Sequence, residues 1–76
     1  MNKKTNIMNS FAPITQTEKK YLSDMIEHHQ MAVVMAKDIL KVTEDSDIMS
    51  VSYAILLAQI NEISLMKEML RQRPVA

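Results

Sequence analysis

Two adjacent histidines, His28 and His29, lie in a methionine-rich stretch of this 76-residue chain. Met25 lies one helical turn before both histidines, and Met31 and Met35 continue the helical stripe that begins at His28. Thioethers and imidazoles are soft ligands that suit Cu(I) or Ag(I), whereas Mg²⁺ and Ca²⁺ prefer oxygen ligands. We therefore expect Met25, His28, His29 and Met35 to be candidate metal ligands, with Met31 as an additional candidate.

The first element that must position these residues is a helix predicted from about residue 16 to 42. Pro13 disfavours an earlier start, and Thr15 and Glu18 have the spacing of a capping box. Turn-forming residues 43–46 end the helix. Between these limits, His29 lies in an apolar stripe of helical period that contains Leu22, Met25, Ile26, Ala32, Val33, Ala36, Ile39 and Leu40.

A second helix is predicted from about residue 47 to 72, capped by Asp45 or Ser46 and ending before Pro74. Its apolar stripe repeats over three heptads and contains Met49, Ser52, Tyr53, Leu56, Gln59, Ile60, Ile63, Met66 and Leu70. The chain has no glycine and two prolines. We therefore expect an all-α fold, with a flexible arm over residues 1–14 and an antiparallel two-helix hairpin over residues 15–73.

The short turn allows a prediction of which residues face each other. If the turn is centred between residues 44 and 45, residues whose numbers sum to about 89 lie at one height. Gln59 then lies level with His29, and Glu62 lies level with His28. The same end of the hairpin carries Met66, which becomes a further candidate ligand. We expect Gln59 and Glu62 to orient the imidazoles from the second helix.

Each helix is apolar over more than one side, which predicts self-association. The additional apolar residues are Met31, Val34, Met35, Ile55, Leu57, Leu65 and Met69. A hairpin of roughly 55 ordered residues cannot cover such wide faces alone. Two hairpins docked as a four-helix bundle would bury them, so we expect a homodimer or a higher oligomer.

Composition excludes several other functions. Without cysteine the chain has no disulfide, thiolate zinc site or cysteine nucleophile, and nine basic residues balance nine acidic ones, which argues against nucleic acid as a partner. No uninterrupted apolar run is long enough for a membrane span, and no signal peptide is recognisable. We expect a cytoplasmic location, or a periplasmic or secreted one if a longer precursor carried an export signal.

We expect neither enzymatic activity nor an organic cofactor. A di-iron bundle would need Glu-x-x-His, whereas Met25 and Ile26 precede the two histidines at that spacing. A non-enzymatic alternative without metal also fits. His29 bonded to Gln59 or Glu62, with methionines as core filler, would make a helical oligomerisation or adaptor module whose polar layer sets helix register.

Two linked motifs resemble the DUF305 family of small helical proteins. Met-Ile-x-His-His-x-x-Ala-Val-x-Met-Ala runs from Met25 to Ala36, and Gln-x-x-Glu-Ile-x-x-Met runs from Gln59 to Met66. The resemblance covers about residues 17–72. It implies a ferritin-like bundle and copper handling through His and Met, as in some members, with a metal-trafficking partner that stays unidentified. Many relatives carry two hairpins in one chain, so a single hairpin favours assembly from identical chains.

Overall fold

The computed structural model describes residues 11–76, which fold into two long helices. Helix α1 spans Gln16–Val42 and helix α2 spans Ser46–Gln72, with 27 residues in each. The connection of residues 43–45 is short enough to make the helices antiparallel neighbours. The predicted all-α hairpin is confirmed for the described residues, which contain no β-strand beyond one isolated bridge. The predicted arm falls largely on residues 1–10, outside the described part.

Side chains cap the start of both helices. The Thr15 hydroxyl accepts the Glu18 amide at 3.0 Å, and the Glu18 carboxylate accepts the Thr15 amide at 2.8 Å. This is the capping box that the sequence predicts. The Asp45 carboxylate accepts the amides of Asp47 and Ile48 at 3.0 and 2.9 Å. Because these amides have no acceptor within the helix, the caps determine where α1 and α2 begin.

The interior of the hairpin is thin. The buried side chains of the described residues are Ile14, Leu22, Ile26, Ala36 and Ser52. Two of these five, Ala36 and Ser52, are small and allow the helices to approach closely. Fifteen large apolar side chains are at least 36% exposed. A single seam between two helices therefore leaves most of the apolar surface uncovered.

A short parallel backbone pairing joins the two ends of the hairpin. The Ile14 amide donates to the Pro74 carbonyl at 2.8 Å, and the Ala76 amide donates to the Ile14 carbonyl at 2.8 Å. Arg73 Nε also donates to the Ala12 carbonyl at 3.0 Å. Ile14, which the sequence analysis assigns to the flexible arm, is only 5% exposed because it packs over the open end of the seam.

By length and composition alone, helix α2 is long and apolar enough to cross a membrane. Only 6% of its most apolar 18-residue segment is buried within the hairpin. The prediction from the sequence concerned uninterrupted apolar runs, and α2 contains none of membrane-spanning length. Its serines, Gln59, Asn61 and Glu62 interrupt the apolar residues without making the average of the helix polar. Helices of soluble bundles can meet the same two criteria, so length and composition do not assign α2 to a membrane.

The cap of α2 can be tested by Asp45→Ala. We expect a loss of about 1 kcal/mol in the free energy of unfolding, because the amides of Asp47 and Ile48 lose their acceptor. Urea unfolding followed by circular dichroism measures the loss. Asp38→Ala is the control, since the Asp38 carboxylate lies 3.8 Å from Lys41 in an exposed pair that contributes little. Equal losses in both variants would contradict the cap.

Candidate metal centre

A cleft between the helices collects one imidazole and three thioethers. Helix α1 places Met25 and His29 there, one turn apart, and helix α2 places Met66 and Met69 opposite them. The other residues that line the cleft are Tyr21, Glu62 and Leu65. Met25 and Met66 are half-buried. The cleft therefore offers one nitrogen and three sulfur donors within an apolar surround.

His29 and Glu62 form the polar contact at the centre of this cleft. His29 Nε2 lies 2.5 Å from Glu62 Oε1, and the two side chains are 13% and 52% exposed. Within residues 11–76 it is the one hydrogen bond that a side chain makes between the two helices. A neutral imidazole that donates from Nε2 keeps its lone pair on Nδ1. Glu62 thereby holds the ring in one orientation and leaves Nδ1 available as a ligand.

This contact corrects the predicted register. The register predicted from the sequence has Glu62 level with His28 and Gln59 level with His29. The structure instead joins Glu62 to His29, which is one of the two partners that the metal-free alternative offers for this imidazole. Side chains on a helix lean toward its N-terminus. In an antiparallel pair the side chains of the two helices therefore lean toward each other along the helix axes. Two residues whose side chains meet across the seam have residue numbers with a larger sum than two residues whose backbones lie at one height. Gln59 is half-buried and makes no hydrogen bond to either imidazole within the described residues.

The other predicted ligands line a second, open groove along α1. His28, Met31 and Met35 face it together with Asp24, Glu27 and Ala32. His28 is exposed, and Met31 and Met35 are each 64% exposed. The six predicted ligands are thus divided, with Met25, His29 and Met66 in the cleft and the other three in the groove. The sequence analysis counts Met69 as apolar surface only, although its position one turn after Met66 indicates that both thioethers share a face.

One ion pair borders the open groove. The Lys20 ammonium donates to the Asp24 carboxylate at 2.6 Å. This hydrogen bond and the attraction of the two charges raise the pKa of Lys20. Asp24 is therefore engaged by Lys20 rather than by His28, and no hydrogen bond of the described residues reaches the His28 ring.

The donors in the cleft fit a soft monovalent ion. Within the described residues no three His, Asp or Glu side chains come close enough to hold a metal. The donors that do converge are thioethers and one imidazole, which are typical of Cu(I) sites. A metal-binding imidazole usually donates its other ring N–H to a carboxylate, and Glu62 is placed to accept it. A Cu(I) or Ag(I) ion would be held by His29, Met25 and Met66, with Met69 as a further ligand.

A double-mutant cycle of His29→Ala and Glu62→Ala measures the contact between the helices. We expect a coupling free energy of about 1 kcal/mol, because Glu62 is partly exposed and water screens the pair. Urea unfolding of the four proteins gives the value. The control cycle combines His29→Ala with Glu44→Ala, which changes an exposed carboxylate in the connection and should give no coupling. Coupling near zero in both cycles would contradict the role of Glu62.

Comparison with known proteins places the chain in a family. The family described as "Domain of unknown function (DUF305)" matches residues 1–70. An uncharacterized protein of Acanthamoeba polyphaga mimivirus is 41% identical over 56 residues, which are 74% of this chain and 37% of that protein. The chain therefore spans well under half of the length of this relative. No solved structure matches the chain. Because the family match covers most of its residues, the chain belongs to the DUF305 family.

Proposed function

We propose that this protein binds Cu(I) or Ag(I) and acts as a small binding or buffering protein. The observation that carries this proposal is the set of donors in the cleft, where His29 is held by Glu62 beside the thioethers of Met25, Met66 and Met69. An imidazole and soft sulfur ligands together favour a monovalent soft ion over zinc or calcium. The copper handling of some DUF305 members, implied by the resemblance of the motifs, agrees with this assignment.

The residues of the cleft have separate parts in this function. Metal buffering involves no chemical reaction. A bound soft ion would therefore contribute only its charge and its affinity for the sulfur ligands. Tyr21 and Leu65 line the cleft beside the donors, and both side chains are exposed. Glu62 orients His29 and keeps one ring nitrogen protonated. His28, Met31 and Met35 are further donors outside the cleft, and they are exposed in a single hairpin.

The proposal includes assembly into a four-helix, ferritin-like bundle of identical chains. The uncovered apolar side chains of the hairpin support it, since a bundle would bury them. We assign α2 to this bundle rather than to a membrane, because Gln59, Asn61 and Glu62 lie together past its midpoint and would be costly in lipid. We infer no enzymatic activity, no organic cofactor and no nucleic-acid partner.

A metal-free helical oligomerisation or adaptor module is the second candidate. The observation that favours it is the His29–Glu62 contact itself, because the imidazole already has a hydrogen-bond partner. In this alternative the contact sets the register of α1 against α2, and the methionines fill the seam as flexible apolar side chains.

Anaerobic competition for Cu(I) against a colorimetric chelator separates the two candidates. We expect the wild-type protein to take Cu(I) from the chelator, and Met66→Leu to lose affinity by about tenfold or more, because leucine keeps the volume but has no donor. Met49→Leu is the matched control, since Met49 is another half-buried methionine of α2 outside the cleft. His29→Ala should lose affinity at least as strongly.

Thermal unfolding provides a second readout of the same proposal. A ligand that binds only the folded protein should stabilise it by about 2.7 kcal/mol at a free concentration one hundred times Kd. A wild-type protein that neither competes for Cu(I) nor gains stability would favour the metal-free module.

A further inference from the structure

Each helix carries a second stripe beside the one that packs α1 against α2. The second stripes repeat at alternating spacings of three and four residues, which is the heptad period of a helix seam. In α1 the stripe contains Tyr21, Met25, His28, Ala32, Met35 and Ile39. In α2 it contains Ile48, Val51, Ile55, Ala58, Glu62, Leu65 and Met69. The chain therefore has the pattern of two helix seams, although a lone hairpin uses only one.

The two second stripes lie on the same side of the hairpin. Tyr21 and Met25 of α1 line the cleft together with Leu65 and Met69 of α2. Farther toward the connection, Met35 and Ile39 of α1 line an apolar groove together with Ile55 of α2. We call this side, formed by the two second stripes, the methionine face. It is continuous along most of the hairpin.

The size of the methionine face matches one side of a protein interface. Seven of its large apolar residues are between 38% and 64% exposed, namely Tyr21, Met35, Ile39, Ile48, Val51, Ile55 and Leu65. At roughly 180 Å² for each whole side chain, these fractions amount to roughly 600 Å², the upper end of patches found on monomers. A stable interface buries about 800 Å² on each partner. About 65% of a homodimer interface is apolar, which is about 520 Å² of those roughly 800 Å², so the apolar area of the face is large enough for one side of such a contact.

The donor atoms on this face are incomplete within one chain. His28 and His29 point about 100° apart on α1, so one ion cannot bind both on the same copy. His28, Met31 and Met35 line an open groove to which α2 contributes no residue. A second copy packed on the methionine face would cover this groove with its own heptad stripes. The second copy would also bring its own His28 and Met35 toward the methionine face of the first hairpin.

We propose that a second copy of this chain docks on the methionine face, and that His28 and Met35 of one copy complete the soft-metal site formed by Met25, His29 and Met66 of the other. The occupant is a second copy because the heptad pattern of the face is complementary to itself, as a two-fold symmetric contact requires. The metal part of this inference rests on the proposed function. The interface part specifies which face that proposed assembly uses, and it does not depend on metal binding.

Sedimentation equilibrium of the metal-free, full-length protein tests the interface. We expect a wild-type dimer, and we expect Ile55→Glu to shift the mass toward the 8.7 kDa monomer. Leu57→Glu is the matched control, because Leu57 is 69% exposed and lies outside the second stripe of α2. Ile39→Glu should repeat the result from α1, and circular dichroism reports whether each variant keeps its helices. A monomeric wild type, or dissociation by Leu57→Glu alone, would overturn the interface.

Complementation between two variants tests the shared site. His28→Ala and His29→Ala should each lose tight Cu(I) binding. Mixed in equal amounts and allowed to exchange, they should regain up to about a quarter of the wild-type sites, since half of the dimers are mixed and each mixed dimer keeps one intact site. No regain would overturn the shared site. A wild type that dimerises through the face but binds no Cu(I) would overturn the shared site together with the proposed function, while supporting the interface.

Discussion

A hairpin of two helices has a single seam, and the rest of this structure depends on how little apolar surface that seam can cover. Small side chains at Ala36 and Ser52 bring the helices close together, and Leu22 and Ile26 fill the space above them. Almost everything else that is apolar lies at the surface. The caps and the terminal pairing of Ile14 hold the hairpin ends, but they bury little. The uncovered apolar surface is therefore a property of the architecture.

The His29–Glu62 contact is a polar interaction across the same seam. A nearly buried imidazole needs a partner, because an unsatisfied ring nitrogen would cost about 1–3 kcal/mol. The carboxylate that supplies it comes from the other helix, so one contact both satisfies the ring and sets the rotation of α1 relative to α2. The same geometry leaves a ring nitrogen directed away from the carboxylate. The contact that satisfies the ring would also orient it as the proposed metal ligand, which is why the residues fit both proposed functions.

The methionines contribute both to the apolar packing of the hairpin and to the candidate metal site. As flexible apolar side chains they can fill an irregular seam, and as thioethers they can bind a soft ion. Their division between an interhelical cleft and an open groove depends on the packed hairpin, since Met25 lies one turn before both histidines but lines the cleft with His29, whereas Met35 lines the groove with His28. Membership of the DUF305 family accounts for the motif without assigning it a function. The chemistry of the site must therefore be inferred from its donors.

Local rules were enough to predict much of this protein from its sequence. The Thr15–Glu18 spacing predicted the first cap, the turn residues before Ser46 predicted the connection, and the apolar period predicted two helices. These features depend on interactions within a few residues. The sequence narrowed the partner of His29 to Gln59 or Glu62, and the choice of Glu62 depends on how side chains lean across the seam. The helical period by itself separates His28 from His29, whereas tertiary packing buried Ile14, because that outcome depends on surfaces supplied by residues far away in the chain.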